Sequence, residues 1–299
     1  MPIEDLFHQP IRAVNVGLQI FADSLQLQGA EVLHVDWRPP LQGYATLSRT
    51  KSGVDIDTAN AEAVDRIRQG RPRLIGMGIA GKVIPGMGRR MILHSGPPIT
   101  WERMCGPQRG AVVGAAVYEG WATDYDEAAE LAASGGITFE PCHHHHTVGP
   151  MAGIVSPSMP VFIVENQTFG NVTYATQNEG LGRVLRYGAY GDDVLQHLKW
   201  MEKELYPALR TALSSTGPID LRSLIAQALH MGDEVHNRNR AATSLFIRQI
   251  APALITATTK SRSQAILRFI DSNDHFFLNL SMAAVKAMLE PAEPVEGSS

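Results

Sequence analysis

Residues 11–37, IRAVNVGLQIFADSLQLQGAEVLHVDW, decide how the fold is read. Ile11 to Val16 is a short apolar run that stops at Gly17. Leu18, Phe21, Ala22 and Leu25 then recur at helical spacing as far as Gln28, and Gly29 ends the pattern. Glu31 to Trp37 alternates as a second strand, and Arg38-Pro39-Pro40 turns the chain. Strand, helix and strand in this order make a βαβ unit, which implies a right-handed crossover and parallel pairing.

Working outward, a polar stretch (41–57) leads to a helix over 58–69. Leu74 to Gly78 reads as a third strand of the same unit. The expectation is an α/β protein: a small Rossmann-like N-terminal domain over 1–100, then a mixed α/β segment over 101–190. A largely helical region over 191–299 follows, with a C-terminus that reads as truncated. Its helices are expected at 179–189, 192–214, 220–251, 261–272 and 275–289. The dinucleotide fingerprint is absent, since only Gly17 follows the first strand. Gly76-Met77-Gly78-Ile79-Ala80-Gly81-Lys82 superficially resembles a phosphate loop but lacks the hydroxyl residue after Lys82. Gly106, Gly110 and Gly114 line one side of a further helix, read either as close internal packing or as a face for a partner subunit. A short helix over 125–133 should start after Thr123-Asp124 and stop at Ser134-Gly135-Gly136. Val161 to Val164 is a buried strand ending in Glu165-Asn166.

Composition narrows the class. With 44% hydrophobic and 19% charged residues, the chain can bury a sizeable core. A net charge of −4 leaves no footprint for nucleic acid. No apolar stretch reaches membrane-spanning length, and the acidic start is not a secretion signal. Two cysteines, Cys105 and Cys142, fit a reducing compartment, so a cytoplasmic protein is expected.

The richest chemical motif is Glu140-Pro141-Cys142-His143-His144-His145-His146-Thr147. Imidazoles titrate near neutrality and serve proton transfer, ligand contact or metal binding. Here they follow a strand-like segment and precede a Gly/Pro loop. Acid–base or anchoring chemistry is the first reading, with His144 and His145 as candidate catalytic groups. No cofactor is required by it. A divalent metal at Cys142, His143 and His145 is the alternative, and an ordinary polar loop is the third.

Four other clusters bear chemistry. Arg103 and Arg109 flank a helix start and could clamp an anion, or pair with Glu102 or Glu119. Glu179, Arg183 and Arg186 share a helical face, as an ion-paired surface or a site. Asp233, His236, Asn237 and Arg240 form one polar stripe if 220–251 is a continuous helix, and Arg238 lies among them. His236 is the third candidate catalytic residue, with Asn237 and Arg238 as binding groups. Asn273-Asp274-His275 precedes a buried aromatic pair, as a ligand contact or a helix cap. Glu165 and Asn166, at a strand's carboxyl end, complete the candidate binding set with Asn273 and His275.

Several long motifs together carry a family resemblance. They are Asn15-Val16-Gly17, His34-Val35-Asp36-Trp37-Arg38-Pro39-Pro40, Gly96-Pro97-Pro98-Ile99 and Trp101-Glu102-Arg103-Met104-Cys105-Gly106-Pro107. With them go Glu140-Pro141-Cys142-His143-His144-His145, Gly149-Pro150-Met151-Ala152-Gly153 and Ser156-Pro157-Ser158-Met159-Pro160. Val164-Glu165-Asn166, Gly232 to Asn239 and Asn273 to Asn279 complete the pattern. Over nearly the whole chain it resembles the bacterial YlbE-like family, long a domain of unknown function, one branch of which includes AllG-like oxamate carbamoyltransferase subunits. The resemblance implies a carbamoyltransferase subunit in ureide (allantoin) breakdown. Such an enzyme converts oxalurate and phosphate to oxamate and carbamoyl phosphate. It also implies an FdrA-like partner and further subunits, a small anionic ureide substrate, and neither nucleic acid nor membrane. Relatives generally continue past Val295-Glu296-Gly297-Ser298-Ser299, so a missing C-terminal segment is expected. It carries over no catalytic residues. Two other functions stay open: a metal-dependent amidohydrolase acting on a ureide or cyclic amide, and a non-catalytic subunit of an FdrA-like complex.

Overall fold

The parallel pairing expected of residues 11–37 is present in the computed structural model, which describes residues 10–38, 48–149, 153–177, 190–273 and 275–297. Strand β1 (Arg12–Val16), helix α1 (Gln19–Leu27) and strand β2 (Glu31–Val35) form the βαβ unit. Arg12 lies opposite Glu31 and Val16 opposite Val35. Gly17 and Gly29 take positive φ values of 113° and 84° at the two turns, a conformation costly for any side chain. The chain divides into two compact units, Met1–Asn60 with Glu296–Ser299, and Ala61–Val295.

The division between the two units falls at Asn60, within helix α2 (Ile56–Gln69). The reason lies in strand β3 (Pro72–Ile79). It does not extend the β1–β2 pair but runs antiparallel to a later strand. A buried apolar run reveals that it is a strand and leaves its neighbour unspecified.

After β3 come α3 (Ala80–Val83), β4 (Met91–His94), α4 (Gly106–Tyr118), α5 (Tyr125–Ala133), β5 (Thr138–Pro141), β6 (Thr147–Val148), β7 (Ile154–Val155), β8 (Pro160–Asn166) and β9 (Val172–Thr176). The helical part is α6 (Asp192–Trp200), α7 (Tyr206–Thr216), a short β10 (Ile219–Asp220), α8 (Leu221–His230), α9 (Arg240–Ala257), α10 (Lys260–Ser272) and α11 (Leu278–Leu289). One sheet has the order β10-β3-β8-β9-β6, the other β5-β4-β7. The α/β class holds, with the helices following and covering the larger sheet.

The glycines of the apparent phosphate loop serve packing. A Cβ on Gly78 would lie 2.4 Å from Val83 Cγ1, and one on Gly81 would lie 3.1 Å from Pro157. Helix α4 is buried from Gly110 to Ala116, so Gly110 and Gly114 of the glycine stripe pack within the chain, whereas Gly106 at its start is exposed. Helix α5 spans Tyr125–Ala133 as read. Asp124 Oδ1 accepts from Glu127 N at 2.8 Å, and Glu127 Oε2 accepts from Thr123 N at 2.7 Å, a reciprocal cap.

Two expected long helices are interrupted. Between α6 and α7 the helix widens to a π turn over Met201–Leu205. Pro207 has no N–H to give to the Lys203 carbonyl four residues back. Arg262 Nη2 donates to that carbonyl at 3.1 Å and to Glu204 O at 2.9 Å. The expected 220–251 helix is broken by a turn over residues 231–239. Gly232 and Val235 there have φ of 95° and 59°, and Asp233 Oδ2 accepts from Ala242 N at 2.8 Å to cap α9. Asp233, His236, Asn237 and Arg240 therefore do not form a helical stripe. The expected helix over 179–189, with Glu179, Arg183 and Arg186, lies outside the described residues, as do Asp274 and residues 150–152.

Helix α11 lies against β8 and β9, where Thr173 Oγ1 donates to Ala283 O at 2.9 Å. The aromatic pair ahead of it is buried, with Phe276 6.1 Å from Phe162 and 5.7 Å from Phe246. Among the described residues no helix is long and apolar enough to cross a membrane.

Candidate functional site

The histidine run leaves β5 as one turn of 3-10 helix, Cys142–His145, and ends with His146 in the left-handed region at φ 52°. Strands β4 and β5 are parallel, with His94 opposite Pro141, so both strand ends deliver imidazoles to the same place. Next, β6 pairs with β9 through Thr147 and Tyr174 and returns the chain to the larger sheet.

Each residue of the run has a different setting. The Cys142 side chain turns inward among Leu93, Val155 and Val161, and burial pushes its thiol up to about 12. His143 meets His144 edge-on with ring centroids 4.5 Å apart. His144 Nδ1 lies 3.5 Å from Glu140 Oε2, an ion-pair distance rather than a tight hydrogen bond. His145 Nδ1 donates to Pro85 O at 2.9 Å. His146 Nδ1 lies 3.0 Å from Glu290 Oε1. Among the described residues no three His, Cys, Asp or Glu side chains are grouped to hold an ion.

Glu290, the partner of His146, is the hub of a small polar cluster. Lys286 Nζ lies 3.0 Å from Oε1, and Asn171 Nδ2 donates to Oε2 at 2.9 Å. Burial alone would raise this carboxyl, but the hydrogen bonds from Asn171, Lys286 and His146 outweigh it and hold the group below the usual carboxylate range. Lys286 also lines a groove of about 600 Å³ that runs along α11 from Leu278 to Leu289, with α8 and the 231–239 turn as its other side. Glu234 and His236 stand on that turn, and Glu293 joins them in the lining. The charges of Lys286 and Glu293 reach His143, so the histidine run and the groove form one electrostatic neighbourhood.

His94 is the group that sequence reasoning passed over. It is fully buried, its Nδ1 lies 3.2 Å from Ser95 O, and its Nε2 has no hydrogen-bond partner. With Nδ1–H donated to the carbonyl, Nε2 keeps a free lone pair. Burial, more than any neighbouring charge, lowers its basicity. His144 adds to that effect, and Ser95 and Glu140 oppose it. An unfolded chain therefore binds a proton that the folded chain resists. The stability gained by keeping His94 neutral is complete above about pH 6.5 and is lost as pH falls below it. His94→Asn is expected to flatten the decline in unfolding free energy from about pH 6.5 to 5. Urea titrations at several pH values give that slope, and an unaltered slope would show that His94 does not cause it.

Of the other candidates, His236 lines the groove and the rest do not. Arg109 is committed to local structure: Nε donates to Trp101 O at 3.1 Å, Nη2 to Glu102 O at 2.6 Å, and the guanidinium lies 5.3 Å from the Trp101 ring. Arg103 is exposed one turn away. Glu119, weighed as an arginine partner, accepts instead from Ser158 N and Oγ, both at 2.7 Å. Asn166 is fully occupied by backbone, taking Arg71 N at 3.0 Å and Thr168 N at 3.2 Å and giving to Ala287 O at 2.8 Å. Glu165 is half-buried in β8 opposite Arg73. Asn237 and Arg238 are exposed, and their backbone N–H groups donate to Glu234 Oε1 at 2.6 and 3.0 Å. Asn273 Oδ1 accepts from His275 N at 3.1 Å at the N-terminal end of α11.

Fold and site together define an α/β protein with a histidine row beside a lysine–carboxylate pair. The model of a family described as oxamate carbamoyltransferase subunit AllG matches residues 137–299, more than half of the chain, and the chain belongs to that family. It is 46% identical over 304 residues to the uncharacterized protein YahG of Escherichia coli (strain K12), covering 99% of this chain and 64% of that protein. It is 42% identical over 247 residues to the oxamate carbamoyltransferase subunit AllG of the same organism, covering 82% of this chain and 59% of that subunit. A crystal structure of a conserved protein of unknown function from Enterococcus faecalis V583 superposes with a TM-score of 0.79 at 44% identity. That match covers 81% of this chain and 58% of the other. The chain thus spans less than two thirds of the length of each of these relatives.

Proposed function

We propose that the chain acts as a subunit of an oxamate carbamoyltransferase-like enzyme, in the phosphorolysis of oxalurate to oxamate and carbamoyl phosphate during ureide breakdown. An FdrA-like subunit in the cytoplasm is part of the proposal. Family membership supports it, and the observation that carries it is the histidine row beside Lys286 and Glu290 at the groove. In such a reaction a phosphate oxygen attacks the ureido carbonyl, the C–N bond to the oxamate nitrogen breaks, and that nitrogen gains a proton. Imidazoles that change protonation near neutral pH suit the last step. Lysine gives a fixed positive charge for an anion at the rim.

A non-catalytic subunit role is favoured by one feature. Leu229 (52% exposed), Val285 (51%) and Leu289 (44%) all line the groove, an apolar surface larger than a small anion needs. The test gives the chain with its FdrA-like partner oxalurate, with and without phosphate, and quantifies oxamate and carbamoyl phosphate. Phosphate-dependent formation of both is expected. Oxalurate loss without phosphate would replace transfer by hydrolysis, and an unaltered rate when this chain is left out would assign the chemistry to the partner.

A further inference from the structure

Three neighbouring strands of the larger sheet, β10, β3 and β8, end side by side, because Pro72 pairs with Asn166 and Arg73 with Asp220. The segments that enter or leave them there carry cations and amides. Arg71 precedes β3, Gln167 and Thr168 follow β8, and Arg222 lies two residues beyond β10 in the first turn of α8. Arg68 and Gln69 close α2 at the same place. These six residues line one cavity of about 590 Å³, and among the described residues no carboxylate joins them.

The walls of this cavity are tied together. Arg222 Nη1 donates to Arg68 O at 2.6 Å and to Gly70 O at 3.2 Å, which fixes the guanidinium and spends one nitrogen of its fork. Thr168 Oγ1 donates to Gln69 O at 2.7 Å, and Gln167 N donates to Arg71 O at 3.0 Å. The fully buried Asn166 accepts both Arg71 N and Thr168 N on its side-chain oxygen.

What the cations lack is a counter-charge. The flanking arginines are paired, Arg66 with Glu62 and Arg73 with Asp220 at 3.8 Å. Arg68, Arg71 and Arg222 have no ion-pair partner among the described residues. Cations gathered in a cleft without a carboxylate repel one another and attract an anion. Guanidinium forks match the oxygens of phosphate, and three of them exceed what one phosphate needs, since a phosphate monoester carries at most about two negative charges near neutral pH. Two linked phosphates balance the set. The lining is arginine, glutamine and threonine throughout, with no apolar side chain to receive a base or an acyl chain. We propose that Arg68, Arg71 and Arg222 form a binding site for the diphosphate group of a small molecule. The site shares no lining residue with the groove along α11 and does not depend on the carbamoyl-transfer reading.

The experiment titrates the full chain calorimetrically with pyrophosphate, ADP, inorganic phosphate and citrate. Pyrophosphate is expected to bind about tenfold or more tightly than phosphate or citrate, and less tightly as salt is raised. ADP separates the sources of the group: binding within a few-fold of pyrophosphate assigns the site to a diphosphate ester, and rejection of ADP assigns it to the free anion. Arg68→Gln and Arg71→Gln should each weaken pyrophosphate about tenfold. Both should melt with the parent, because the two side chains are exposed and make no hydrogen bond within the described residues. Arg222→Lys keeps the charge, loses the fork and should also bind more weakly. Arg248→Gln removes an exposed arginine of α9 that does not line the cavity and should bind as the parent does. No pyrophosphate binding at millimolar concentration, unaltered affinity in both glutamine variants, or an equal loss in Arg248→Gln would overturn the site. Citrate binding more tightly than pyrophosphate would overturn the diphosphate assignment.

Discussion

Replacing Glu290 with alanine is expected to lower the unfolding free energy by about 3 kcal/mol at neutral pH, the range for stripping one partner from a buried ion pair. The carboxylate is only 9% exposed, and it is the shared acceptor for Lys286, Asn171 and His146. Removing it takes the paired carboxylate from Lys286, whose side chain is only 14% exposed. The measurement is a urea titration of parent and variant, and a loss well under 1 kcal/mol would show that the pair is marginal. The pH dependence has a definite sign. Because the folded carboxyl is held below its ordinary value, its contribution is present above the unfolded value near pH 4.3 and is lost as pH falls through the folded one. The difference between parent and Glu290→Gln should therefore close in acid. Substituting Lys286→Met together with Glu290→Leu should recover much of the loss, since an apolar pair leaves no buried charge. The same substitutions alter the groove, because Lys286 lines it.

Part of this arrangement was legible in the sequence. The βαβ unit was, because strand alternation, helical period and a stopping glycine all agree over residues 11–37. So was α5, whose cap residues Thr123 and Asp124 act where they stand. What failed was non-local. The pairing of β3 with β8 depends on a strand some ninety residues later, and no local pattern names it. The 231–239 turn was hidden by a helical period that continues through it by coincidence, although Gly232 followed by Asp233 is a stop and a cap in sequence. The histidine run announced chemistry by composition alone. That Cys142 points inward, that Lys286 of α11 and Glu290 just after it meet the run, and that His94 backs it are consequences of tertiary packing. Arg109 and Asn166 had suitable chemistry for binding, but backbone carbonyls and N–H groups claim them first.

Alanine at His144 is expected to reduce phosphate-dependent oxamate formation by about 10²-fold or more while leaving the melting temperature within a few degrees. His144 is the member of the row with a carboxylate beside its ring, Glu140 Oε2 at 3.5 Å, and its exposed position means that removal opens no cavity. His145 is a weaker test, because its Nδ1 holds the Pro85 carbonyl and its loss disturbs the loop. Glu140→Gln separates the roles. If Glu140 positions the His144 ring, the substitution should lower kcat by less than His144→Ala does. His236→Ala, in the lining of the groove, should also lower turnover if the substrate reaches the groove as well as the histidine row. A drop in His144→Ala alone would confine the chemistry to the histidine row. Unchanged rates in both would take catalysis away from these imidazoles and leave the groove as a surface for the partner subunit. The two imidazoles can be tested separately because His144 stands in the turn that follows β5 and His236 in the turn that precedes α9.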